Sequence, residues 1–154
     1  MIRRRDFIAL LGGGAVAWPL AARAQQRERV RRIGVLLPLD ENDEGKRRLS
    51  AFTQALADLG WRDGRNVRVD LRWPGVDSNR MRALAQELIG LQPDIIVTNA
   101  TPPSVAVQRE TRTIPIVFAG AGDPVVSGLV ARLDRPSGNI TGFATFEASL
   151  VHRF

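Results

Sequence analysis

The 154-residue chain has no cysteine and a single histidine, His152, two residues from its end. Disulfides, thiolate nucleophiles, thiolate metal sites and a lipidated N-terminal cysteine are therefore excluded. One histidine likewise excludes a multi-histidine metal cluster. The chain has no Gly-x-x-x-x-Gly-Lys-Ser/Thr phosphate loop. Ser127 sits in Val126-Ser127-Gly128, which is not the Gly-x-Ser-x-Gly nucleophile elbow, and no histidine is placed to serve it. Gly120-x-Gly122 lacks the third glycine of a dinucleotide fingerprint, because position 125 is Val. These absences predict a protein without catalysis and without a cofactor.

What is present begins with a leader. Arg3-Arg4-Arg5 precedes Phe7–Leu11 and a Gly/Ala-rich apolar stretch to Ala17, followed by Ala22-Arg23-Ala24. That is a basic region, an apolar region and a small-x-small cleavage site. The apolar part is too short and too glycine-rich for a membrane span. Arg4, Arg5 and Phe7 fit the twin-arginine export motif, and cleavage is expected after Ala24, with Ala22 and Ala24 as the small residues of the site. Residues 1–24 then form a signal peptide, and the twin-arginine export machinery is an expected partner. Losing four arginines and one aspartate leaves 18 basic and 15 acidic residues, net +3. The basic balance thus owes much to the leader. Residues 25–32 read as a basic linker, and no aromatic residues interleave it, so no nucleic-acid partner is expected.

The remainder reads as strands alternating with helices. Ile33–Leu37 is an apolar first strand, and Pro38–Gly45 an acidic loop after it. Leu49, Phe52, Leu56 and Leu59 mark an amphipathic helix that Gly60 ends. Val67, Val69, Leu71 and Trp73 alternate with polar residues, the pattern of an edge strand. Asp77 or Ser78 caps a helix with Met81, Leu84, Ala85 and Leu88 inside. Ile95–Val97 and Ile114–Phe118 are buried strands. Ser104–Glu110 is helix-compatible, with Thr101 as a candidate N-cap and Pro103 in its first turn. Val125–Leu133 reads as a helix capped by Asp123 and opened by Pro124, and Ile140–Phe143 as a fifth strand. Such alternation implies an α/β fold with a parallel sheet whose ligand edge is the carboxyl ends of the strands.

At this point several segments resemble a known family. They are the leader, RRIGVLLPL, FTQALADLGWRDGRNVRVDLRW, and the long run from PDIIVTNATPP to RPSGNITGF. Together they look like the ABC-transporter substrate-binding proteins of the type-1 periplasmic-binding fold. The resemblance implies a doubly wound α/β lobe with a parallel sheet of order 2-1-3-4-5, in a two-lobed periplasmic protein that closes on a small molecule, notably an amino acid, and delivers it to a membrane permease. It implies ligand contacts from the loops after the first, third and fourth strands. In this sequence those loops hold Pro38, Leu39 and Asp40; Asn99, Ala100 and Thr101; and Ala119, Gly120, Asp123 and Pro124. Asn99 and Thr101 would offer hydrogen bonds, and Asp123 would face a ligand ammonium or cap a helix. Residues 33–150 then correspond to one lobe, and Val151–Phe154 to an atypical tail where the family continues into a second lobe. A truncated remnant and an exported sensory module of the same fold are the alternatives.

Overall fold

The computed structural model describes residues 29–136 and 138–145. Arg4, Arg5, Phe7, Ala22, Ala24 and the tail 151–154 lie outside the described residues. Five strands are present, β1 (Arg31–Leu36), β2 (Val67–Arg72), β3 (Ile95–Asn99), β4 (Ile116–Ala121) and β5 (Ile140–Ala144). Three helices join them, α1 (Asp43–Asp58), α2 (Ser78–Gly90) and α3 (Thr101–Glu110). Every pairing is parallel, as the alternation predicts, and the sheet order is β2-β1-β3-β4-β5, as the family resemblance implies.

Strand pairing explains which face is the core. Gly34 pairs with Ile96, Ile96 with Ile116, and Ile116 with Ile140, so all four side-chain positions share one face. That face meets α2 and α3: Leu36, Ile96, Ile116, Phe118 and Ile140 are buried with Met81, Ala85, Leu88 and Val107. A helix forms at Ser78–Gly90 because Asp77 caps it, its carboxylate accepting from the Arg80 N–H at 2.8 Å. Met81, Ala85 and Leu88 are the expected inner stripe.

The opposite face carries α1. This helix begins at Asp43, inside the stretch read as the first loop, because Asn42 caps it by accepting from the Gly45 N–H at 3.0 Å. Asp43 and Glu44 sit in its first turn, where acids complement the helix dipole. Gly45 is its one buried residue. A Cβ there would meet the Trp73 ring at 2.8 Å, so the helix start lies flush against that indole. Leu49, Phe52 and Leu56 are half-buried, but Leu59, expected on the inner face, is 77% exposed because the helix has ended at Asp58.

The far end of the sheet, at the amino ends of the strands, is cross-linked by charge. β1 starts two residues earlier than the apolar run suggests, since Arg31 and Arg32 pair with Val67 and Arg68 of β2. The Arg32 guanidinium donates to Asp70 at 2.5 Å and to the Leu91 carbonyl at 3.1 Å. The Arg32 backbone N–H donates to Asp94 at 2.8 Å. Hydrogen bonding from Arg32 holds the Asp70 carboxyl below the usual carboxylate range, against the opposing pull of its burial, and Arg68 adds to the effect.

One expected element is absent. Residues 125–133 form turns instead of a helix. Asp123 does cap, its carboxylate accepting from the N–H groups of Val125 and Val126 at 2.9 and 3.0 Å. The turn then stops, because Gly128 adopts φ 74° and the N–H groups of both Leu129 and Val130 return to the Pro124 carbonyl. Leu129 and Val130 are thereby driven into the core, and the Leu129 carbonyl accepts from Gln108 of α3 at 2.8 Å.

Candidate functional site

The site region is the carboxyl edge of the sheet, where β3 and β4 end side by side. Asn99, the last residue of β3, pairs with Ala119 of β4. Its amide N–H donates to the Ala119 carbonyl at 3.0 Å, and the Ala100 N–H donates to the same oxygen at 2.9 Å. Ala119 and Gly120, read as loop, continue β4 instead: Ala119 pairs with Asn99 and Phe143, Ala121 pairs with Ala144, and Gly120 bulges between them. Gly120 has φ 69°, and a Cβ on it would stand 3.3 Å from the Asn99 amide nitrogen. Glycine at this position lets the Asn99 side chain lie over β4.

The chain then turns sharply into α3. Ala100 carries φ 69° and ψ 170°, a backbone region nearly confined to glycine. Thr101 is the first helical residue and not the N-cap; Ala100 occupies the cap position and offers no side-chain bond. Pro102 and Pro103 follow in the first turn, where a missing N–H costs nothing. The Thr101 hydroxyl oxygen instead accepts from the Gly122 N–H at 3.3 Å, tying the two turns together. Beneath them lies a buried polar pair. Ser104 Oγ donates its proton to the Ala100 carbonyl at 2.6 Å, so Thr98 Oγ1 is left as donor in the 2.8 Å contact between the two hydroxyls.

Of the residues expected at the site, the structure joins Asn99, Ala100, Thr101, Ala119 and Gly120. Asp123 and Pro124 begin a separate turn just beyond Gly122, with Asp123 exposed and Pro124 buried. Pro38 and Leu39 are half-buried, and Asp40 points toward the β2 side, its carboxylate 2.9 Å from where a Cβ of Gly75 would be. The contact from the β1 side comes from a residue sequence reading passed over. Arg48, on α1, donates to Asn99 Oδ1 at 3.2 Å and to Glu44 at 2.6 Å. The only sequence signal for it was the Glu44–Arg48 spacing of four, which marks a helix face and names no tertiary partner. Beside Arg48 and Asn99 opens a groove of about 280 Å³ between α1 and the sheet, lined by Val35, Leu37, Leu49, Phe52, Val97 and Ala119. Among the described residues no cluster of His, Asp and Glu could hold a metal ion.

Residues 32–152 match the model of the ABC transporter substrate binding protein family. The chain belongs to that family. Over 95 residues it is 33% identical to the tyrosine-binding protein of Clostridioides difficile strain R20291, covering 62% of this chain and 28% of that protein. In structure it is similar to a conserved domain protein from Vibrio cholerae, with a TM-score of 0.72 and 27% identity, over 78% of this chain and 40% of that one. It is also similar to an ABC domain from Streptococcus pneumoniae solved with L-Trp, with a TM-score of 0.68 and 26% identity, over 74% of this chain and 38% of that one. The chain therefore spans less than half the length of each of these relatives. The family's fold accounts for the parallel sheet and its order, and for the position of the grooved edge outside the carboxyl ends of the strands.

Proposed function

We propose that the chain is the solute-binding component of an ABC importer, or one lobe of it, taking an amino acid or similar small molecule and presenting it to a membrane permease. The observation that carries the reading is the junction of β3 and β4. There Asn99, Ala100, Thr101, Ala119 and Gly120 converge at the carboxyl edge of a doubly wound sheet, the place where such sheets bind ligands. Family membership supports solute binding over catalysis. The relatives that carry tyrosine in their name or L-Trp in their crystal support an amino-acid-like ligand. The leader with Arg4, Arg5 and Phe7 supports export by the twin-arginine route, cleavage near Ala22 and Ala24, and work in the periplasm.

The test is thermal unfolding of the full chain against a panel of amino acids and small carboxylates. A ligand that binds only the native state raises the midpoint. Asn99→Ala is expected to shrink that rise. A cooperative transition that no member of the panel moves would overturn the reading. Export is checked separately: Arg4→Lys with Arg5→Lys is expected to hold the chain in the cytoplasm of a twin-arginine-competent host.

A further inference from the structure

We infer that Arg48 is the carboxylate anchor of this site, and that the ligand is a small carboxylate with an apolar or aromatic body. The inference rests on the solute-binding reading and narrows it to a ligand class. Arg48 projects from α1 to the end of β3, where it donates to Asn99 Oδ1 at 3.2 Å. Its guanidinium has five N–H donors, and the bonds to Asn99 and Glu44 use two. The side chain is half exposed, so the remaining donors are reachable from solvent. A guanidinium presents its donors as a planar fork that matches a carboxylate bidentately.

The surroundings fix the rest of the ligand. Among the described residues, Arg48 is the only charged one lining the groove, and the others that line it are mostly apolar. Among the described residues that line the groove, a free ammonium has no carboxylate to meet. Asp123, the residue expected to face one, is on another turn, with one carboxylate oxygen already accepting from two backbone N–H groups. The groove is near the lower end of the size of small-molecule sites. An apolar body lying against Leu37, Phe52 and Val97, with its carboxylate on Arg48, satisfies both chemistries at once. Glu44 competes for the same guanidinium at 2.6 Å and so sets how tightly the carboxylate is held.

The experiment is calorimetric titration of the full chain with 3-phenylpropanoate, L-phenylalanine and phenethylamine, which separate the carboxylate from the ammonium. Both carboxylates are expected to bind and phenethylamine to bind far more weakly. Arg48→Gln should weaken the carboxylates by about tenfold or more, the range of a hydrogen bond to a charged group. Arg48→Lys should restore part of the loss, and Glu44→Gln should tighten binding by removing the competitor. Thermal midpoints of all variants show that each is folded; should Arg48→Gln unfold, the Lys and Glu44 variants decide the matter. Unchanged carboxylate binding in Arg48→Gln, with a loss in Asn99→Ala, overturns the anchor and leaves solute binding standing. Tighter binding of phenethylamine than of the carboxylates overturns it too. No heat with any of the three, and no midpoint shift across the amino-acid panel, overturns both readings.

Discussion

Ala100 holds a conformation that costs an alanine on the order of 1–3 kcal/mol. The cost is sustained by two bonds to its own peptide groups: its N–H donates to the Ala119 carbonyl and its carbonyl accepts from Ser104. Glycine would remove the strain, and it would add about 0.4–1 kcal/mol of unfolded-state freedom. The first effect is the larger, so Ala100→Gly is expected to raise the unfolding midpoint, as a denaturant titration would read directly. Ser104→Ala runs the other way. It strips the donor from the Ala100 carbonyl and the acceptor from buried Thr98, and is expected to cost about 1–3 kcal/mol.

Asp70 sits at the opposite end of the sheet and makes a prediction in pH. Its folded-state value is depressed, by hydrogen bonding from Arg32 first. The stability it supplies is therefore fully present above the unfolded aspartate value of about 3.9 and is lost as pH falls toward the lower folded value. The unfolded chain takes up the proton first, and this drives the loss. Asp70→Asn is expected to lower the midpoint at neutral pH and to flatten its fall between about pH 5 and pH 3, measured against the parent chain. An unaltered pH profile would show that the Arg32–Asp70 bond contributes nothing to folding.

At the scale of elements, the two sheet faces are not equally covered. α2 and α3 bury Met81, Ala85, Leu88 and Val107 against the core, whereas α1 buries only Gly45. Local opening is easiest where few apolar contacts are lost. Amides of α1 are expected to exchange with deuterium well before those of α2, and Phe52→Ala to alter exchange in α1 while leaving α2 nearly unmoved. Equal protection of the two helices would refute this ranking.

The same scale shows what the sequence made legible. Strands β1 to β5, the edge position of β2 and the stripe of α2 could be read because short Ile/Val runs and a three–four spacing report burial directly. The helix expected over 125–133 failed because its apolar spacing belongs to two core residues, Leu129 and Val130, that a left-handed Gly128 turns inward. The strand β4 ran longer than its Ile/Val content because Ala119 pairs with β3 and β5 and Ala121 with β5 across a bulge at Gly120, and not because of propensity. Asn99, Ala100, Thr101, Ala119 and Gly120 could be named from the turn chemistry. Arg48 could not, since its role depends on a contact 51 residues away in sequence.

Across the described body, exposed large apolar side chains are scattered, and one of them, Phe143, lies on a strand. Phe143 is 76% exposed and Val126 84%. Phe143 pairs with Ala119, which pairs with Asn99, so it lies in the same row as the site residues and on the face that α1 leaves partly open. Among the described residues β5 is also an edge strand, paired on one side only. An exposed phenylalanine on an open strand edge drives association, and burying one side chain of this size contributes about 1.5–3 kcal/mol. The chain is therefore expected to self-associate with rising concentration and to bind a hydrophobic dye. Phe143→Ser should weaken that association by about tenfold or more. Leu59 is equally exposed but follows the end of α1 and belongs to no strand, so Leu59→Ser is the matched control and should change association little. Sedimentation velocity over a concentration series separates the outcomes. If Leu59→Ser matches Phe143→Ser, association follows total apolar exposure, and the β5 edge has no special part in it.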